Sequence, residues 1–235
     1  MSNLKYIGNE LEIFAHAIGW KRYFGTIITP FFGEHILEMG AGIGTTTAAL
    51  ARRHYRDWMC LEPDAELKQI LDRKLQAGEL PAFCHSQLGI VNDLREDEFF
   101  DTILYIDVLE HIENDRSELR AAAAHLDANG TLIVLSPAHQ ALFTPFDQTI
   151  GHYRRYSKNS LAAIQPPGCH LEKLIYLDSA GMLLSLSNRL LLNQSMPTLA
   201  QIKLWDRWVV PVSVILDRLL LYSLGKSVIA VWRKA

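Results

Sequence analysis

His152, Tyr153, Arg154, Arg155 and Tyr156 place one acid–base group, two permanent cations and two phenols in a single short run. An imidazole titrates near pH ~6.5, so His152 suits proton transfer at neutral pH. Arg154 or Arg155 suits two-point contact with a carboxylate or phosphate. Tyr153 and Tyr156 suit a pocket wall, or a cation–π contact with a positively charged reactant. A purely local role is the competing explanation, with the arginines paired to nearby acids and the histidine satisfied within its loop. His111, which follows Glu110, and His139 are further candidates to touch a substrate. No metal site is expected from Glu110, His111 and Glu113, because neighbouring positions on one turn face apart.

A second cluster has a different character. His35-Ile-Leu-Glu-Met-Gly-Ala-Gly-Ile-Gly-Thr45 is a short apolar run ending in an acid, then glycines at 40, 42 and 44, then a helix-prone segment. Glycine lets the main chain turn sharply and approach a ligand that a Cβ would block, and the start of the following helix offers free N–H groups. An ordinary tight strand-to-helix turn has the same glycines. Dinucleotide sites use G-x-G-x-x-G, but here the five-position offset from Gly40 falls on Thr45. Glu38 beside the loop also disfavours a pyrophosphate. The pair suits a nucleoside bearing positive charge, such as the amino group and sulfonium of S-adenosylmethionine.

The elements that position these residues alternate. A helix is expected over 10–28, strands over 36–39, 58–61, 89–91, 102–106 and 131–135, and helices over 45–53, 63–76 and 116–126. Near-continuous apolar strands between helices indicate a parallel sheet covered on both faces, whose ligands lie beyond the carboxyl ends of the strands. Glu38, Glu62, Asp93 and Asp107 are each expected at such an end. Glu62, about 20 residues past the loop, suits the two ribose hydroxyls, and Asp93 suits an adenine amino group or a simple turn. Beyond the fifth strand the chain becomes polar and aromatic over 138–167. A strand over 171–177, helices over 179–192 and 199–221, and a strand over 227–232 then suggest an antiparallel final pair split by a helical insertion.

Composition narrows the classes. The 235 residues are 49% hydrophobic and 21% charged, enough for one buried core and one domain. A net charge of -3 gives no broad attraction to nucleic acid. Cys60, Cys84 and Cys169 form neither a disulfide framework nor a C-x-x-C site, which fits a reducing, cytoplasmic setting. No signal peptide is expected. The apolar stretches 183–192 and 208–224 are broken by Asn188, Arg189, Pro211, Asp217 and Arg218, too short of the ~18 uncharged residues of a membrane span. Peripheral membrane contact stays open. The helix over 204–221 carries Trp205, Trp208, Val209, Val212, Ile215, Leu216 and Leu219 along a wide stripe, suited to core packing, a dimer contact, a lid or a membrane surface.

Glu38-x-Gly-x-Gly-x-Gly44, Glu62, Phe100-Asp101-Thr-Ile, Asp107-Val-Leu-Glu-His-Ile112 and Leu126-Asp-Ala-Asn-Gly-Thr-Leu-Ile-Val together resemble the class I S-adenosylmethionine-dependent methyltransferases. The likeness covers nearly the whole chain. It is strongest to a bacterial subgroup with G-H-Y-R-R-Y after the fifth strand, here within Asp147-Gln-Thr-Ile-Gly151-His-Tyr-Arg-Arg-Tyr156. Asn129-Gly130 stands where relatives usually have Gly-Gly, a change without expected consequence because Asn tolerates positive φ.

The resemblance implies an α/β, Rossmann-like fold. Its seven-stranded sheet is mostly parallel with an antiparallel last strand, under an N-terminal helical lid (1–33), with a cofactor-binding half (34–137), a substrate-site segment (138–168) and C-terminal strands with a helical insertion (169–235). It implies S-adenosylmethionine as cofactor and S-adenosylhomocysteine as product. Glu38, Gly40, Ala41, Gly42, Glu62, Pro63, Asp93, Leu94, Asp107 and Val108 would hold the cofactor. His152, Tyr153, Arg154 and Tyr156 would act on the acceptor, and Trp20, Tyr23, His111, His139 and Arg155 would bind it. The expected activity is methylation of an oxygen, including a carboxylate, or a nitrogen of a small acidic molecule by a monomer or homodimer. The alternatives are a lipid-linked glycan or isoprenoid acceptor at a membrane surface, and a non-catalytic cofactor-binding module.

Overall fold

The computed structural model describes residues 10–191 and 198–235. Residues 1–9 of the expected lid, and the expected helix end at Leu192, lie outside them.

One seven-stranded sheet runs in the order β3-β2-β1-β4-β5-β7-β6. β1 (His35–Met39), β2 (Asp57–Glu62), β3 (Cys84–Leu88), β4 (Phe100–Ile106) and β5 (Leu126–Pro137) are mutually parallel. β7 (Ser227–Lys234) runs antiparallel between β5 and β6 (Cys169–Leu177). The chain order reverses beside β1 and β4, the switch point where such sheets open a crevice at their carboxyl ends.

Period-2 alternation splits each strand between two cores. Ile36, Trp58, Leu104 and Ile133 enter one, and Leu37, Met59, Ile103 and Leu132 the other. The first core is covered by α2 (Ile18–Ile28) and by Val210 at the start of α10 (Val210–Leu219). The second is closed by Leu119, Ala122 and Ala123 of α5 (Asp115–Ala124) and by Leu161 of α7 (Lys158–Ala162). Between strands lie α3 (Thr45–Leu50), α4 (Ala65–Gln76) and α6 (Pro145–Thr149), and the insertion holds α8 (Ser179–Leu191) and α9 (Leu199–Leu204).

Four expectations are corrected. The N-terminal helix is two, α1 (Glu10–Ala15) and α2, broken at His16-Ala17. The third strand is β3, ending at Leu88 rather than spanning 89–91, so Asp93 lies five positions past a strand end in a 3-10 turn (Val91–Asp93). β5 begins at Leu126, because Asp127 to Gly130 continue the strand across an irregular register with β4. The helix expected over 199–221 is divided by one π-helical turn, Trp205–Val209.

That π turn widens the helix where it meets α2. Asp206 accepts hydrogen bonds from Gly19 N–H (2.9 Å) and Trp20 N–H (2.7 Å), capping α2 across the fold, a contact of about 1 kcal/mol. Asp217 accepts from Tyr23 Oη–H (2.8 Å) and from the N–H groups of Asp178 (2.7 Å) and Ser179 (2.9 Å). Trp205 Nε1–H and Lys226 in turn reach Asp178, at 2.8 and 3.2 Å. The insertion is therefore stapled to α2 by two acids, half-buried Asp206 and buried Asp217.

Candidate active site

β1 delivers a loop that only glycine can follow. Gly40, Gly42 and Gly44 have φ of 59°, 57° and 75°, left-handed values that cost other L-residues about 1–2 kcal/mol. A Cβ on Gly40 would lie 2.8 Å from Val108 Cγ2, so the loop touches the β4 tip directly. At Gly42 the nearest atom would be Leu11 of α1 at 3.6 Å, which places the N-terminal helix over the loop.

Acids hold the loop from behind. Glu62, the last residue of β2 and 4% exposed, accepts Gly42 N–H (2.7 Å) and Asp64 N–H (2.9 Å). Burial raises its pKa, against those two bonds. Glu38, 2% exposed, accepts from Thr47 Oγ1–H (2.8 Å) and Trp58 Nε1–H (2.9 Å) on one oxygen. Burial pushes its pKa up to about 7, opposed by those two donors. Pro63 precedes Asp64, which caps α4 through the N–H groups of Glu66 and Leu67, so the helix starts at Ala65. Asp93 is exposed and accepts Ile90 N–H (2.9 Å) within its own turn, while Leu94 is buried in the second core. Bare main chain facing two buried carboxylates fits a cationic nucleoside and leaves no room for a side chain.

Asp107 follows β4 with φ of 55°. Its residue surface is open to water, yet surrounding protein pushes its pKa up to about 6, opposed by the charges of His152, Lys21 and Lys226. Lys21, on the buried face of α2, donates from Nζ to Phe14 O (2.6 Å). Burial lowers its pKa to about 8, against Asp107 and Asp206.

The polar segment after β5 folds around one carboxylate. Asp147, fully buried, receives His152 Nδ1 (2.9 Å), Arg155 Nε (2.7 Å), Arg155 NH2 (2.9 Å) and both Thr144 donors (2.8 Å each). Burial would raise its pKa, but the bonds from His152 and Arg155 outweigh this and hold it well below the carboxylate range. Arg154 contacts Asp115 (2.6 Å) and Glu113 O (2.7 Å), and Tyr156 Oη–H donates to Asp115 (2.7 Å). Arg155 thus shares Asp147 with His152, Arg154 and Tyr156 share Asp115, and Tyr153 is 53% exposed.

The side of His152 turned away from Asp147 meets two neighbours. Its Nε2 lies 3.9 Å from Glu110 Oε1, and its ring meets His111 edge-on at 4.5 Å between centroids. Glu110 is fully buried and burial raises its pKa well above the usual range. Burial and then the charge of His152 lower the His111 pKa to about 4, against a bond to the Ile150 carbonyl. The expectation that Glu110 and His111 diverge is corrected: His152 fits between them, and one ligating atom from each of the three lies within 4.8 Å of the others.

The remaining candidates lie apart. Trp20 packs on Trp205 at 5.8 Å, Tyr23 is tied to Asp217, and His139 (φ 64°) stacks on Tyr176 at 4.7 Å. Sequence reading missed Lys21 and the inward turn of Glu110, and it gave Asp147 no role beyond its place in the G-H-Y-R-R-Y segment. Lys21 was detectable, because it shares a helical stripe with Ala17 and Ile28. A 460 Å³ hollow lined by His35, Asp57, Phe100 and Asp127 opens at the other, amino end of the strands.

The fold recurs in solved structures. The [4+2]-cyclase SpnF superposes with a TM-score of 0.62 at 14% identity, over 91% of this chain and 80% of that one. A sarcosine dimethylglycine methyltransferase, so described for Galdieria sulphuraria, gives 0.60 at 15% identity over 92% and 84%. Coclaurine N-methyltransferase, bound to N-methylheliamine and S-adenosylhomocysteine, gives 0.61 at 16% identity over 93% and 72%. No curated protein sequence matches the chain. The profile of the family described as "Methyltransferase domain" matches residues 20–171, well over half the chain. With the glycine loop, its acids and the seven-stranded sheet in place, the chain belongs to that methyltransferase family, and its cofactor is S-adenosylmethionine.

Proposed function

We propose that the protein methylates an oxygen or nitrogen of a small acidic molecule. Glu38, Gly40, Ala41, Gly42, Glu62, Pro63, Asp93 and Leu94 hold S-adenosylmethionine in this reading, with Asp107 and Val108 beside its methionine end. The cofactor supplies a methyl group already activated on a cationic sulfur. The protein's task is alignment, which contributes on the order of 7–11 kcal/mol. A base is required only for an acceptor that loses a proton. His152 fits that role because Asp147 accepts its Nδ1–H and thereby fixes the tautomer with Nε2 unprotonated, on the side of the ring shared with Glu110 and His111. Arg154, at the rim, has N–H groups beyond the two engaged with Asp115 and Glu113, and these suit an acceptor carboxylate.

The observation that supports this reading best is the meeting of both halves at one tip: Val108 abuts Gly40, and the adjacent residue, Asp107, lies within electrostatic reach of His152 and Lys21. Membership of the G-H-Y-R-R-Y subgroup is part of the proposal, supported by the joint hold of Asp147 on His152 and Arg155. Labelled-methyl transfer to a panel of small acids, amines and extracted lipids tests it. Label in a small acid or amine is expected. Cofactor binding with every pool unlabelled would contradict it and favour a non-catalytic module.

A second reading has its own support. Leu204, Trp208, Val212, Ile215 and Leu219 form an exposed ridge, between 48% and 73% accessible, flanked by exposed Lys203, Arg207 and Arg218. Such a surface suits an anionic bilayer and an acceptor carried on lipid. Among the described residues no helix is long and apolar enough to cross a membrane. Sedimentation with anionic vesicles at low salt, absent with neutral vesicles, would favour this acceptor class.

A further inference from the structure

We propose that Glu110, His111 and His152 form a binding site for a divalent transition-metal cation of the zinc class. Two imidazoles and one carboxylate are a borderline-soft donor set suited to zinc, cobalt or iron, and three protein donors leave a position for an exchangeable ligand. One ligating atom from each residue lies within 4.8 Å of the other two. Donors around a tetrahedral zinc at about 2.0–2.1 Å stand roughly 3.4 Å apart, so small side-chain rotations close the shell.

Three further observations indicate a ligand. First, Glu110 Oε1 has no hydrogen-bond partner although the residue is 0% exposed, while Oε2 accepts Ser136 Oγ–H at 2.9 Å. A buried carboxylate oxygen left bare is costly, and this one is turned toward His152 Nε2 at 3.9 Å, too far for a hydrogen bond. Second, both imidazoles carry the outer partner that metal-bound histidines need. His152 Nδ1 is held by Asp147 at 2.9 Å, and His111 is bonded to the Ile150 carbonyl. Such partners fix the tautomer and aim the other ring nitrogen at the ion. Third, Asp107 stands close enough to interact electrostatically with both His152 and Glu110, so its carboxylate adds negative charge to the neighbourhood of the three donors.

Metal binding depends only on these side chains. Its use depends on the methyl-transfer reading. A hydroxyl acceptor in the open position would lose its proton to solvent more easily, since a divalent cation lowers the pKa of a bound oxygen. The ion would then replace His152 as the means of generating the nucleophile, and hydroxylated acids become the favoured acceptor class.

The test uses chelator-treated full-length protein, titrated calorimetrically with zinc ion and observed by visible absorption with cobalt(II). S-adenosylhomocysteine affinity reports on folding in every sample. We expect one zinc ion per chain, cobalt bands of a nitrogen-containing low-symmetry site, and at least a 30-fold loss of zinc affinity in His111→Gln and Glu110→Gln. His85→Gln should bind as the parent does, because it alters only the separate group His35–Asp57–His85, where, among the described residues, histidines also approach an acid. Absence of zinc heat from protein that binds S-adenosylhomocysteine would overturn the proposal. So would zinc affinity unchanged by His111→Gln or lost in His85→Gln.

Discussion

The two halves of the sheet's carboxyl edge are built by different means. Beyond β1 and β2 the work is done by main chain, with left-handed glycines seated on Glu62 and Leu61 O. Beyond β4 and β5 it is done by buried charge, with His152, Arg155 and Thr144 all directed at Asp147. The first design accommodates a ligand that is the same in every turnover. In the reading proposed above, the second orients side chains toward an acceptor, the part of a site that varies while a fold stays the same.

Substitutions can break this contrast. Asp147→Ala should have the largest effect on stability, about 3–5 kcal/mol in urea unfolding, because it leaves Arg155 and His152 without their buried partner. Cofactor affinity should survive wherever the variant folds. The pH dependence has a definite sign. The folded Asp147 carboxyl titrates below its unfolded value, so its contribution is complete above roughly pH 4 and is lost in stronger acid. The variant should show less of that acid sensitivity.

Gly40→Ala should do the reverse. A Cβ 2.8 Å from Val108 Cγ2 at a left-handed φ should weaken S-adenosylhomocysteine binding about 10–100-fold by calorimetry, at a stability loss of about 1–3 kcal/mol. Glu38→Gln should weaken cofactor binding yet stabilise the fold by about 1–2 kcal/mol at pH ~8. The buried carboxyl titrates at about 7 instead of 4.5, so the wild type loses stability as pH rises through that interval and the amide does not. Differential thermal melts at pH ~5 and ~8 measure this. Tyr153→Ala should be mildest, within about 0.5 kcal/mol of stability, since the ring is half exposed. A change in acceptor KM would be its signature.

The same contrast explains what the sequence made legible. The loop could be read because its meaning is local: alternate glycines and a following strand ending in Glu62 are all near neighbours in sequence. Asn129 likewise takes the positive φ of 62° that its type allows. The succession of strands and helices along the chain was readable from the alternation of apolar runs, except that β3, Cys-His-Ser-Gln-Leu, is too polar to signal a strand. The charged half was only partly readable. The G-H-Y-R-R-Y residues were found, and Asp147, five and eight positions before His152 and Arg155, is a local acid of the kind the competing explanation named, whereas Asp115, the partner of Arg154 and Tyr156, is distant in sequence and had no local signal. Trp20 and Tyr23 went to the core for a similar reason, since Trp205 and Asp217 lie far along the chain.

The most direct test is calorimetric titration of S-adenosylhomocysteine into the wild type, Glu62→Gln and His152→Gln. The two-part design predicts binding to the wild type, at least tenfold weaker binding to Glu62→Gln, and affinity within threefold of wild type for His152→Gln. Absence of heat in the wild type, or an equal loss in both variants, would contradict it.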